Sequence, residues 1–273
     1  MGRTVSKQKK VGVIVIDNTN NRWSYSRITA FENCKYAFYL NYVINDDEQY
    51  LSEGNYYAEL GSYVHSILQM IFDGKLSVDD ALSYYLDNYD NNICYKVSPQ
   101  TMRKNYEIIA DYFAGLTLDW LKNYEVLGVE LETKFHIAKY NFIGYIDLLL
   151  RDKRDGKIVV VDHKSTEYPF KQDGTVKKKC QHSFESYKRQ MYLYCHAVKE
   201  IYGEFPKEMV WNHFKDDKFA TIQFVQSEYE DVTNWTKNTL NTIEQEKDFE
   251  PTMDYFYCHN LCNFRNSCEY QMM

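Results

Sequence analysis

The chain has 273 residues, 44% of them hydrophobic and 26% charged, with a formal net charge of −7. This composition supports a folded core and excludes wholesale disorder. The acidic total excludes a surface that is basic all over, the simplest footprint of a nucleic-acid binder, so any DNA groove must be local. No run approaches the roughly 18 apolar residues of a membrane span, and the apolar part of MGRTVSKQKKVGVIVID is too short for a signal peptide; a cytoplasmic protein is expected. Seven cysteines, an odd number, argue against a disulfide framework and for metal or redox use.

The first half reads helical. Tyr57, Leu60, Val64, Ile67, Leu68 and Ile71 recur at the spacing of a helix that buries one face, and Gly74 ends it. Two more helices are expected at 77–90 and 100–123. From Val129 the period changes to two: Val129, Leu131, Thr133, Phe135 and Ile137 alternate with Glu130, Glu132, Lys134 and His136, which predicts a half-buried strand with the second set outward. A second strand fits 140–151 and, after a turn at Asp155-Gly156, a third fits 157–163, whose unbroken apolar run suits a central strand covered on both faces. An amphipathic helix follows at 183–202, with Phe184, Tyr187, Met191, Tyr194, Val198 and Ile201 on one face. Strands near 208–214 and 218–226 complete the pattern. The expected fold is α/β, a central mixed sheet flanked by helices. A single domain is expected, made of a mainly helical part (24–128), a sheet core (129–226) and a terminal helix with a cysteine segment (227–273).

The second and third strands carry Asp147 and Asp162, which a hairpin can set side by side. Lys164, two residues after Asp162, points to the same face. Paired carboxylates suit Mg²⁺ or Mn²⁺, and a nearby lysine can position an attacking water and offset charge in phosphodiester hydrolysis. An isolated D-x-K is more often just the polar end of a buried strand. Here four segments occur in order: Gly61-Ser-Tyr-Val-His65, Gly144-Tyr-Ile-Asp147, Val161-Asp162-His163-Lys164 and Gln190-Met-Tyr-Leu-Tyr194. In these the chain resembles the RecB-like branch of the PD-(D/E)xK nuclease superfamily, which includes AddB-type subunits and the iron–sulfur exonucleases of CRISPR adaptation. The resemblance covers about residues 24–270. Isoleucine stands before Asp147 and the second acidic position is aspartate, so the dipeptide that names the superfamily is absent as such.

The resemblance implies a restriction-endonuclease-like core with Asp147, Asp162 and Lys164 catalytic. It implies a metal site of His65, Asp147, Asp162 and the main-chain oxygen of His163, with Gln190 and Tyr194 near the active site and the DNA. By themselves His65 reads as a packing residue, Gln190 as surface and Tyr194 as core.

Cys258, Cys262 and Cys268 crowd into one short segment, a density that favours a metal site. The helix around Cys34 resembles the one on which related nucleases carry the distant first ligand of a four-cysteine [4Fe–4S] cluster, and such a cluster would clip the chain ends together. Three residues rather than two separate Cys258 from Cys262, so zinc is a serious alternative, and His259 in place of Cys34, or no metal, also stays open. Cys94, Cys180 and Cys195 lack ligand spacing. After the catalytic strand, Lys171, Lys177, Lys178 and Lys179 form the best local basic patch, with Tyr168 or Phe170 available to stack on an unpaired base; an incidental solvated loop fits equally well. The expected function is a Mg²⁺- or Mn²⁺-dependent deoxyribonuclease, more an exonuclease on single-stranded or processed DNA ends than an endonuclease. The rival is a catalytically silent DNA-end-binding or assembly subunit with the same fold.

Overall fold

The computed structural model describes residues 22–44 and 52–270; the apolar stretch weighed above as an export signal lies outside them. Helix α1 (Tyr25–Asn33) starts where the Ser24 side chain accepts from Arg27 N, and α2 (Lys35–Tyr39) where Cys34 Sγ accepts from Ala37 N. The following helices open with caps of the same logic, a side-chain oxygen satisfying a free backbone N–H. Asn55 caps α3 (Tyr56–Phe72), Ser77 caps α4 (Val78–Asn92) and Ser98 caps α5 (Pro99–Gly115). The third ends eight residues before the expected 123, and Asp119–Asn123 is a 3₁₀ turn instead. Gly115 and β-branched Thr117 are weak helix formers, and Trp120 and Leu121 pack against the sheet.

The sheet has five strands in the order β1-β2-β3-β4-β5: β1 (Tyr124–Ile137), β2 (Tyr140–Asp152), β3 (Ile158–Lys164), β4 (Glu208–His213) and β5 (Lys218–Gln223). Of these five strands only β3 and β4 pair in parallel, joined by a crossover that contains α6 (Gln181–Tyr202). Helix α7 (Gln226–Gln245) follows β5. This is the expected α/β mixed sheet with β3 at its centre. β1 begins five residues before Val129 because a bulge at Val126–Gly128 breaks the alternation that would have revealed its start.

One face of the sheet, with Ile146, Leu149, Val160, Met209 and Trp211, packs on Met191, Cys195 and Val198 of α6. The other, with Leu148, Leu150, Val159 and Val161, lies under Phe72 and Trp120. Helices α3 to α5 build a core of their own around Leu60, Val64, Ile67 and Tyr85. Ile201, expected on the buried face of α6, is 49% exposed. It lies in the last turn, where the helix is about to end at the left-handed Gly203.

Candidate active site

The β2–β3 ladder runs from Arg151–Ile158 to Leu148–Val161 and stops there. The next pair in that register is Asp147 with Asp162. In place of a ladder bond, His163 N donates to Asp147 Oδ2 at 2.6 Å. Beyond this point Trp23 lies along β2, with Trp23 N donating to Asn141 O and Ile143 N donating to Trp23 O. The central strands therefore part at the two aspartates, and the notch between them holds the site. Lys164 Nζ stands 2.6 Å from Asp162 Oδ2 and 2.9 Å from Gln190 Oε1, and lies over the Tyr187 ring. Gln190 Nε2 in turn donates to Tyr194 Oη at 2.9 Å. From α3, His65 brings Nε2 to 3.0 Å from His163 O and Nδ1 to 3.5 Å from Asp147 Oδ2. The residues of the D-x-K reading meet here with those that the resemblance sets at the metal and near the DNA, namely His65, the His163 carbonyl, Gln190 and Tyr194.

The His163 side chain turns away: its ring stacks on Phe72, and Nδ1 accepts from Asn212 Nδ2. Burial lowers its pKa to about 4, so it is neutral at pH 7. His65 goes the other way. Burial opposes its charge, but Asp147 and Glu130, with Asp162 behind them, outweigh burial and lift the pKa to about 10. The aspartates diverge. Burial pushes Asp162 up against the pull of Lys164, whereas for Asp147 burial is overcome by His65 and the His163 amide, which hold it low. Lys164 is kept cationic, the Asp162 charge prevailing over burial.

Glu130 joins this group, although strand alternation placed it outward. It stands opposite Asp147, between the pairs Val129–Leu148 and Leu131–Ile146. Both strands change face at this point: Val129 and Leu148 pack on the Phe72 side, Leu131 and Ile146 on the α6 side. Glu130 carries the turn-over with a left-handed φ of 45°, a conformation costing about 1–3 kcal/mol in a non-glycine residue. Counting back from the two-residue turn at Ala138-Lys139 puts Glu130 across from Asp147, but Ala-Lys is no turn signature, so the register was not evident.

The site opens into a groove of about 630 Å³ floored by Gly61, Ser62 and Ser66 of α3. A divalent cation fits the donors. His65, Glu130 and Asp147 offer ligand atoms within 4.8 Å of one another. Asp162 Oδ2 is buried and lacks a hydrogen bond of good geometry, meeting only the Lys164 charge. Oxygen donors with one imidazole suit Mg²⁺ or Mn²⁺.

Far from the notch, Cys34, Cys258, Cys262 and Cys268 line one cavity of about 80 Å³. Cys34 Sγ accepts from Ala37 N and Thr252 N. His259 also borders the cavity, but its ring stacks on Tyr255 and Nδ1 bonds to Tyr255 O. Cys195 is fully buried in the core, Cys180 is buried at the start of α6 and Cys94 is exposed.

Of the expected basic patch, two lysines share one acidic partner: Lys177 and Lys179 both pair with Glu167. Phe170 packs edge-on against Phe184, and Tyr168 against Phe170 and His213, so both rings are engaged within the protein.

A mixed sheet whose parted central strands gather two aspartates and a lysine beside an open groove defines a nuclease of the restriction-endonuclease-like class. Residues 22–269 match the family model of the PD-(D/E)XK nuclease superfamily, and the chain belongs to that superfamily. The fold is similar to that of an Eubacterium rectale protein whose crystal structure carries an inferred exonuclease designation, at 14% identity and a TM-score of 0.48, covering 84% of this chain and 83% of that one. It is also similar to the solved structure of SSO0001, at 13% identity and a TM-score of 0.32, covering 91% and 96%. No curated protein gives a significant match. Among the described residues no helix is long and apolar enough to cross a membrane.

Proposed function

We propose that this nuclease is a metal-dependent deoxyribonuclease of the RecB-like branch, acting as an exonuclease on single-stranded or processed DNA ends. The carrying observation is the convergence of His65, Asp147, Asp162 and Lys164 on one notch. His65, giving up its proton as the cation displaces it, would hold a Mg²⁺ or Mn²⁺ ion together with Asp147, Asp162 and the His163 carbonyl; the ion, when bound, lowers the pKa of a water and polarises the phosphodiester. Lys164, held cationic, orients the attacking water and offsets charge developing on the phosphoryl oxygens. Gln190 fixes the ammonium, and Tyr194 fixes Gln190. Asp162→Asn and Lys164→Ala should each lower cleavage of end-labelled single-stranded DNA in Mn²⁺ by at least about a hundredfold while the protein stays folded by circular dichroism. Undiminished cleavage by both variants refutes the assignment, and release of internal fragments rather than terminal nucleotides refutes exonuclease action. A silent end-binding subunit has no need of this polar set, and the same assay separates the two.

The four cysteines are assigned to a structural [4Fe–4S] cluster. The support for this reading is that Cys34, Cys258, Cys262 and Cys268 line one cavity, which brings together the distant first cysteine and the three of the last segment. In a cuboidal cluster each thiolate would bond its own iron. The backbone amides on Cys34 suit a ligating thiolate. Protein purified without oxygen should be brown, with broad absorption in the region of roughly 400 nm; colourless protein with stoichiometric zinc overturns the cluster.

A further inference from the structure

Glu130 is unexplained by the D-x-K chemistry, yet the fold sets it inside the site. With His65 and Asp147 it forms a group of metal-capable donors. Its Oε1 is 3.9 Å from His65 Nδ1, beyond hydrogen-bond range, while Asp147 Oδ2 stands closer to the same nitrogen at 3.5 Å. Glu130 is therefore not required to orient the imidazole. Among the described residues its ionic neighbour is His65 alone, so a half-buried carboxylate beside Asp147 lacks a lysine or arginine to neutralise it. The backbone there is left-handed, a conformation that glycine or asparagine fills at lower cost than glutamate. Neither the ladder nor the packing calls for this residue type.

We propose that Glu130 is a further ligand of the catalytic divalent cation, acting with His65 and Asp147, so that Asp147 is shared between this group and the Asp162 side of the notch. The inference rests on the metal-dependent nuclease reading above. A cross-strand glutamate has the reach to meet its opposite aspartate at one ion. A third carboxylate raises affinity for a hard cation, and the imidazole favours Mn²⁺ over Ca²⁺.

Titration of the full chain with Mn²⁺ alone in a calorimeter, and melting in EDTA, test this with Glu130→Gln, Glu130→Gly and Asp162→Asn. Glu130→Gln should weaken Mn²⁺ binding by about tenfold or more. Cleavage at low Mn²⁺ should fall and partly recover as Mn²⁺ is raised. Glu130→Gly, which removes both the carboxylate and the backbone strain, should bind Mn²⁺ as weakly and melt in EDTA no lower than the wild type. Wild-type Mn²⁺ affinity in Glu130→Gln, with Asp162→Asn impaired, overturns this inference and leaves the nuclease reading intact. A marked fall in melting temperature of Glu130→Gly in EDTA overturns it in favour of a structural role. Absence of Mn²⁺ binding and cleavage in the wild type itself overturns both.

Discussion

A methyl group at position 144 would stand 3.0 Å from Tyr194 Cε1 and 3.3 Å from Thr133 Oγ1, so a residue with no role in the chemistry controls residues that have one. Tyr194 is buried and cannot give way freely. Gly144→Ala should therefore cost about 1–3 kcal/mol by overpacking and also slow cleavage, because Tyr194 holds Gln190 and Gln190 holds Lys164. Parallel melting and single-turnover rates check both effects; full stability together with full activity would mean that the ring has room to shift. At this scale the sequence was legible wherever chemistry and ordered motifs coincided, as at Asp147, Asp162 and Lys164. Gln190 and Tyr194 needed the family resemblance, since helical periodicity alone made them surface and core. Glu130 escaped because period-two alternation assumes that a strand keeps its faces, and this strand turns over at that very residue.

Among the elements, those with a clean period were legible and those with an interruption were not. Helices α3 and α6 and the hairpin of β2 and β3 stand where the pattern put them; the start of β1 was hidden by its bulge and the end of α5 by a 3₁₀ turn that shares its apolar residues. One device invisible to periodicity is the clamp at the end of β2. Asp152, fully buried, accepts from the Arg154 backbone and guanidinium and from Lys207 at the entry to β4. Arg154 and Lys207 hold its carboxyl far below the ordinary range. A depressed folded pKa contributes stability that is present above the unfolded value of about 3.9 and is lost as pH falls through the folded value. The melting temperature of Asp152→Asn should thus lie below the wild type at pH 6, with the gap narrowing below about pH 4. A gap independent of pH would show that the charge is not what the clamp uses.

Across the whole molecule, the cysteine-lined segment is tied to the start of the helix that carries His65. Glu53 N donates to Asn263 O, and Arg265 reaches Gly54 O at 2.8 Å and Glu53 Oε2 at 3.1 Å. Tyr95, whose hydroxyl accepts from Gly54 N, closes the other side. Arg265→Ala should loosen the entry to α3 and reduce cleavage by about tenfold through misplacement of His65, with the absorption proposed for the cysteine site retained; loss of colour with full activity would contradict the coupling. None of this was legible from spacing, because the contacts join segments far apart in the chain. The same separation governs how the molecule comes into being. Thr252 N and Cys34 Sγ meet across 218 positions, and closing a loop of that span costs more chain entropy than forming any local contact. The walls of the cysteine cavity therefore come together through long-range packing, and they should close after the local helices and hairpins have formed.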